Sequence, residues 1–191
     1  MRFVDKKNIE IDRELSDLDI FTIDFINILK NHIDYVIVSG YVAILLGRSR
    51  ASEDIDIIIP KITFSDFKGL YRDIKENGFY CLNAEAEKIV FSYLEDNLAV
   101  RFAKYNSIIP NIEMKWVKND FDKIALEKKI FVKLKNETVQ ISHLELQIAF
   151  KESILGSPKD MEDAQHIRAV SKEQLDKTLI QKYKVMLHGF Y

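Results

Sequence analysis

The 191-residue chain has one cysteine, Cys81, so neither an internal disulfide nor a cysteine-built zinc site can form within it. Six glycines and three prolines leave little material for flexible linkers and imply short connections between elements. No stretch approaches the roughly 18 consecutive apolar residues of a membrane-spanning helix. The start, Met1-Arg2-Phe3-Val4-Asp5-Lys6-Lys7, lacks the apolar segment of a signal peptide. A cytoplasmic protein with no membrane partner is the expectation. Charge of one sign is missing too. A formal net charge of -2 excludes one broad basic field for nucleic acid, so an RNA partner would be held in a local groove. Four histidines, at 32, 143, 166 and 188, show no metal-ligand spacing. A nucleophile elbow, a Walker loop and a dinucleotide fingerprint are all absent.

What is present reads as an ordinary globular chain, 47% hydrophobic and 30% charged, long enough for one catalytic unit with a genuine core. Ser16 predicts the N-cap of a packing helix that carries Leu18, Phe21, Phe25, Ile28 and Leu29 and ends near Asn31. Tyr35-Val36-Ile37-Val38 predicts a buried strand, stopped by Ser39-Gly40 and followed by a short helix to Leu46 with Gly47 as its cap. Asp54 to Ile59, closed by Pro60, predicts a second strand beside the first. Ser65 is expected to cap a helix running to Asn77, with Gly78 at its end. Strands are expected around 79–82, 98–103, 112–117, 131–134 and 138–141, with helical stretches after Asn83 and Asn119. Ser142 is expected to cap a helix ended by Gly156, and Ser157-Pro158 to restart helix at once. The fold class is therefore α/β (α+β), a mixed sheet flanked by helices. Its division is a core over 1–141, including the N-terminal packing helix, and a helical region over 142–191 that completes the site.

Asp54 and Asp56 stand two apart on a predicted strand, so they project from one face with Cα atoms roughly 6 to 7 Å apart. Two like charges so close call for a cation between them, and hard oxygen ligands suit Mg²⁺ bound together with substrate phosphates. A solvated strand edge gives the same spacing. The sequence holds its own control: Asp17-Leu18-Asp19 has the same spacing in the first turn of a helix, where acids complement the dipole. Ser39 and Gly40 end a strand at a helix start, where backbone N–H groups could meet a phosphate, although a plain strand-to-helix turn looks alike. Most aromatics, Trp116 among them, suit the core, while Tyr41 beside the turn could stack on a base.

The arrangement Val36-Ile37-Val38-Ser39-Gly40, then Ala43, Gly47, Arg50, Ser52 and Asp54-Ile55-Asp56, resembles the first motif of DNA polymerase β-like nucleotidyltransferases. The loop Arg50-Ala51-Ser52-Glu53-Asp54-Ile55-Asp56 is most similar to the toxin component of AbiE-type abortive-infection systems. A second block, Leu146-Gln147-Ile148-Ala149-Phe150-Lys151, then Gly156, Lys159-Asp160 and Asp163-Ala164, is similar to that branch as well. The order Ser39-Gly40 departs from the familiar Gly-Gly or Gly-Ser.

The resemblance implies a third carboxylate on a later strand, and Glu113, in the alternating segment Ile112-Glu113-Met114-Lys115-Trp116, is the candidate, with a plain surface acid on an edge strand as the alternative. It further implies that Asp54, Asp56 and Glu113 hold Mg²⁺ or Mn²⁺. Ser39, Gly40, Arg50, Ser52 and Lys151 would meet the nucleoside triphosphate, with Lys159, Asp160 and Asp163 lining or bracing the site. For Lys159, Asp160 and Asp163, first-turn charges on a helix begun by Pro158 are the alternative. The implied reaction is transfer of a nucleoside monophosphate to a hydroxyl of RNA, especially tRNA, of a small molecule or of a protein. A toxin of this kind would have an antitoxin partner. The rival is an inactive nucleotide-binding or protein-interaction module on the same fold.

Overall fold

The computed structural model describes residues 1–190. Their centre is a nine-stranded mixed sheet in the order β1-β2-β8-β9-β3-β4-β7-β6-β5. The strands are β1 (Arg2–Phe3), β2 (Asn8–Ile11), β3 (Val36–Val38), β4 (Asp54–Ile59), β5 (Phe79–Cys81), β6 (Val100–Lys104), β7 (Asn111–Trp116), β8 (Ile130–Leu134) and β9 (Glu137–Ile141). The interior strand β4 runs antiparallel to β3 and parallel to β7. Its Ile55, Ile57 and Ile59 alternate onto one face, which the helices cover, and are fully buried.

The helices are α1 (Asp17–Leu29), α2 (Gly40–Leu45), α3 (Phe64–Glu76), α4 (Glu87–Glu95), α5 (Asp120–Glu127), α6 (Leu144–Phe150), α7 (Pro158–Val170) and α8 (Lys177–Phe190). One sheet face is closed by α1, α3 and α4 through aromatic packing. Phe25 of α1 meets Phe79 and Phe102, Tyr71 of α3 meets Phe102, and Phe91 of α4 meets Trp116, all with ring centroids 5.1 to 6.3 Å apart. Because side chains alternate along a strand, the residues beside these, Arg101, Glu113 and Lys115, face the other side. The last strand ends at Ile141, and every described element after it is helical.

Several local readings need correction. The helix expected from Ser65 starts one residue after Thr63, whose hydroxyl accepts from the Asp66 N–H at 3.2 Å; Ser65 lies inside the first turn. The N-cap before α6 is His143 and not Ser142, whose hydroxyl makes no capping bond. After Phe150 the chain widens into a π-helical turn, Lys151–Leu155, released by Gly156 in the left-handed region. The strands β1 and β2 have no counterpart in the sequence reading. Asn8-Ile9-Glu10-Ile11 does alternate, with Ile9 and Ile11 buried, but four residues are too short for the pattern to stand out. No described helix is long and apolar enough to cross a membrane.

Candidate active site

Strand register assembles the acids. Parallel pairing sets Asp54 opposite Asn111, Asp56 opposite Glu113 and Ile58 opposite Lys115. Antiparallel pairing sets Arg101 of β6 opposite Glu113. Residues level with one another on adjacent strands share a face and lie roughly 5 Å apart, so Asp54, Asp56 and Glu113 form one patch with Arg101 and Lys115 beside it. Asp54 is exposed and Asp56 half-buried. Burial pushes the Asp56 carboxyl up; Lys115 and the Ser39 hydroxyl oppose this, while Glu113 and Asp54 add to it. Glu113 is already partnered, its Oε2 accepting from Arg101 Nη2 at 2.8 Å and Nε at 3.0 Å.

This donor set suits a hard divalent cation at Asp54 and Asp56, with ligand phosphates supplying the remaining oxygens. Among the described residues no three His, Cys, Asp or Glu side chains are arranged to hold a metal ion between them. For Glu113 to contribute an oxygen, its bond to Arg101 has to loosen.

Behind the acids lies the turn between β3 and α2. Ser39 adopts φ 65° and ψ -135°, a conformation that suits glycine, and its N–H donates to Gln147 Oε1 at 3.1 Å. The reversed Ser39-Gly40 order thus puts the residue with a side chain at the strained position. Gly40 is needed for another reason. A Cβ there would stand 2.8 Å from Nη2 of Arg50 and 3.0 Å from its Cζ, so the guanidinium lies directly on the Gly40 backbone.

Arg50 in turn donates to Asp163 Oδ2 at 2.5 Å, as does Lys151 Nζ at 2.8 Å, and Arg48 binds the same carboxylate through Oδ1. Lys151 also reaches Asp160 Oδ1 at 3.1 Å. Asp163 has no exposure and Lys151 only 1%. Three cations around three acids, Asp160, Asp163 and the Glu162 carboxylate that also binds Arg48, form one network that pins α7 to the loop after α2. Burial pulls the Lys151 ammonium down, and its hydrogen bond to Asp160 pulls it back up. Lys151 is therefore held by carboxylates at one end of the site.

Between β3, β4, β7, α5 and α6 opens a cleft of about 210 Å³. Its polar groups are Ser39, Asp56, Lys115, Asp122, Ser142, Gln147 and Lys151, set among apolar walls that include Ile58, Phe121 and Phe150. The structure thus brings Ser39, Asp56 and Lys151 to one cleft and stacks Gly40, Arg50, Asp160 and Asp163 behind it. Ser52 stays on the loop, its hydroxyl donating to the Asp54 carbonyl at 3.0 Å. Lys159 is exposed and enters the network only through its carbonyl, which accepts from Arg48 at 3.1 Å. Tyr41 is no stacking platform: it is fully buried and donates to Asp19 Oδ1 at 2.7 Å.

Sequence reasoning missed Arg48, Arg101, Lys115 and Gln147. For Arg101 and Lys115 the usable signal was alternation, which puts Lys115 on the face of Glu113 and two residues away.

At the sequence level, no protein-family profile and no curated protein matches the chain. Solved structures do. An antigenic nucleotidyltransferase-like protein from Paracoccidioides brasiliensis superposes with a TM-score of 0.52 at 15% identity, over 91% of this chain and 88% of that one. The antibiotic-resistance factor ANT(2'')-Ia, whose solution structure is described as showing substrate-regulated conformation dynamics, superposes with a TM-score of 0.54 at 12% identity, over 92% and 95%. At such identities the likeness is one of fold, and the fold of this chain is the nucleotidyltransferase-type mixed sheet flanked by helices.

Proposed function

We propose that the protein transfers a nucleoside monophosphate from a nucleoside triphosphate to a hydroxyl acceptor. The observation that carries this reading is the register that levels Asp56 with Glu113, beside Asp54, with Asp56 itself lining the Ser39 cleft. Asp54 and Asp56 hold Mg²⁺ or Mn²⁺ together with the triphosphate. When bound, the metal supplies charge stabilisation at the attacking and leaving oxygens. Glu113, freed from Arg101, accepts the proton of the acceptor hydroxyl as its oxygen bonds to the α-phosphorus and pyrophosphate departs. The Arg48, Arg50, Lys151 and Asp163 network holds the turn and α7 in place around the cleft. RNA, particularly tRNA, a small hydroxylated molecule and a protein side chain are the acceptor classes. The finer reading, a toxin of the AbiE type with an antitoxin partner, rests on the loop 50–56 and on the Lys151 to Asp163 block.

The bond between Arg101 and Glu113 favours a second reading, a non-catalytic nucleotide-binding or protein-interaction module, because an internal cation already satisfies the third carboxylate. Transfer of label from α-³²P nucleoside triphosphates, with Mg²⁺ or Mn²⁺, into total RNA, proteins and small hydroxylated molecules decides between them. The expected result is metal-dependent label that falls roughly 100-fold or more in the Asp54→Asn/Asp56→Asn variant. Label that survives in that variant would refute the assignment. Metal-independent nucleotide binding without transfer would favour the module.

A further inference from the structure

We propose that Lys115 is the residue of the cleft that contacts the phosphate chain of the nucleotide, and that Lys151 is a positioning residue. The inference rests on the nucleotidyltransferase reading and deepens it. The resemblance to nucleotidyltransferases would give the phosphate role to Lys151. That ammonium, however, donates to Asp163 at 2.8 Å and to Asp160 at 3.1 Å, with 1% of its residue exposed. A ligand phosphate would have to break two carboxylate bonds to claim it, and removing a partner from a buried charge is costly.

Lys115 is placed differently. It lines the same cleft from β7, level with Ile58 and two residues beyond Glu113, so it stands next to the Asp56 carboxylate. It is half-buried, and its ammonium forms no ion pair among the described residues; Asp56 attracts it through space without taking its hydrogen-bond donors. A cation partly withdrawn from water with its donors uncommitted favours an anionic ligand.

A second observation at the same place concerns Ser142. The residue is among those lining the cleft, it has no exposure, and its Oγ makes no hydrogen bond within the described residues. Its N–H is already committed to the Ile37 carbonyl at 2.9 Å, which fixes the backbone and leaves the hydroxyl for whatever enters. Buried hydroxyls are nearly always paired, so an unpaired one lining a cleft marks a ligand position. Lys115 and Ser142 supply a charged and a neutral donor in a space of about 210 Å³. That is too little for a whole nucleotide and suits a phosphate chain whose nucleoside extends outward.

The test is equilibrium binding, with Mg²⁺, of tripolyphosphate and of ATP, CTP, GTP and UTP to the wild type, Lys115→Met and Lys115→Arg. Lys115→Met keeps the length of the side chain and removes a charge from a half-buried site, so folding should survive, and a thermal melt checks it. Lys115→Gln serves if it does not. The expected result is a loss of roughly tenfold to 100-fold for tripolyphosphate and for every bound nucleotide, with nucleoside affinity unchanged and substantial rescue by Lys115→Arg. In transfer assays the same variant should raise KM for the triphosphate more than it lowers kcat. Unchanged affinity in Lys115→Met, with wild-type transfer intact, overturns the Lys115 assignment alone. So does unchanged KM with a displaced acid limb of the pH profile, because Lys115 would then act only on Asp56. A wild type that binds none of the probes and transfers nothing overturns both this inference and the function it rests on.

Discussion

Around the turn after β3, single atoms decide what the sequence tolerates. Arg50 is flexible by nature, but its guanidinium is pinned between the Gly40 backbone and Asp163. A methyl group at position 40 therefore cannot be absorbed by swinging the tip of a free side chain. Gly40→Ala should cost about 1 to 3 kcal/mol, the range for forcing extra volume into a packed site, and should lower transfer further by shifting the turn. Chemical denaturation of Gly40→Ala, Arg50→Ala and the double variant checks the cause. If the clash is with Arg50, Gly40→Ala should cost less in the Arg50→Ala background than in the wild type, and an equal cost in both would place the strain elsewhere. This close approach could not be read from the sequence, where a Ser-Gly pair before a helix signals only a turn. Asp54 and Asp56 were legible because the strand-turn-helix-loop context sets them apart from Asp17 and Asp19. Even that control was only half understood. Asp19 does complete a capping box, its side chain accepting from the Ser16 N–H at 2.8 Å, but it is fully buried against Arg13 and Tyr41.

Helix ends test how far local chemistry fixes an element. Both Thr63 and Ser65 are residues of the capping type, and only the geometry of the chain chooses between them. Thr63 has extended backbone and takes the Asp66 N–H, whereas Ser65 is already helical and exposed. Thr63→Ala should therefore destabilise by about 1 kcal/mol and Ser65→Ala by almost nothing. Equal losses in thermal or denaturant unfolding would contradict the assignment. Elements with strong periodicity or clean punctuation were legible: α1 behind Ser16, α7 behind Ser157-Pro158, and β4 between a polar loop and Pro60. What the sequence concealed depends on partners distant in the chain. Strand β2 exists because it pairs in parallel with β8, more than a hundred residues later. The widened turn after Phe150 lets Lys151 reach Asp160 and Asp163 across from α7, and no local propensity announces it. Lys115 was hidden for the same reason, since its meaning comes from the register of β7 against β4.

At the scale of the whole molecule, two buried titrating groups join distant elements and make stability depend on acid. His143, before α6, lies with its ring 5.3 Å from that of Tyr183 on α8 and its Nε2 3.0 Å from the hydroxyl. Burial, aided by nearby Lys128, pulls its imidazole down to about 4. The folded state thus prefers the neutral ring, and the stability this gives is complete above the unfolded value near 6.5 and is lost as pH falls toward 4. Asp19 joins α1 to Arg13 and, through Tyr41, to α2. Burial raises its carboxyl, but the hydrogen bonds from Arg13, Ser16 and Tyr41 prevail and hold it at about 2. Its contribution is complete above the unfolded value near 4 and is lost as pH falls toward 2. Each tenfold change in proton affinity between the folded and unfolded chain corresponds to about 1.4 kcal/mol. Acidification through the two windows therefore removes on the order of 3 and 2 kcal/mol, set against the roughly 5 to 15 kcal/mol of a domain. Melting temperature measured from pH 7.5 to 3 should fall in two stages, the first between 6.5 and 4. His143→Phe should remove the first stage and leave the second. A wild-type melting temperature that stays level down to pH 4.5 would mean that His143 can take a proton without disturbing the joint between α6 and α8.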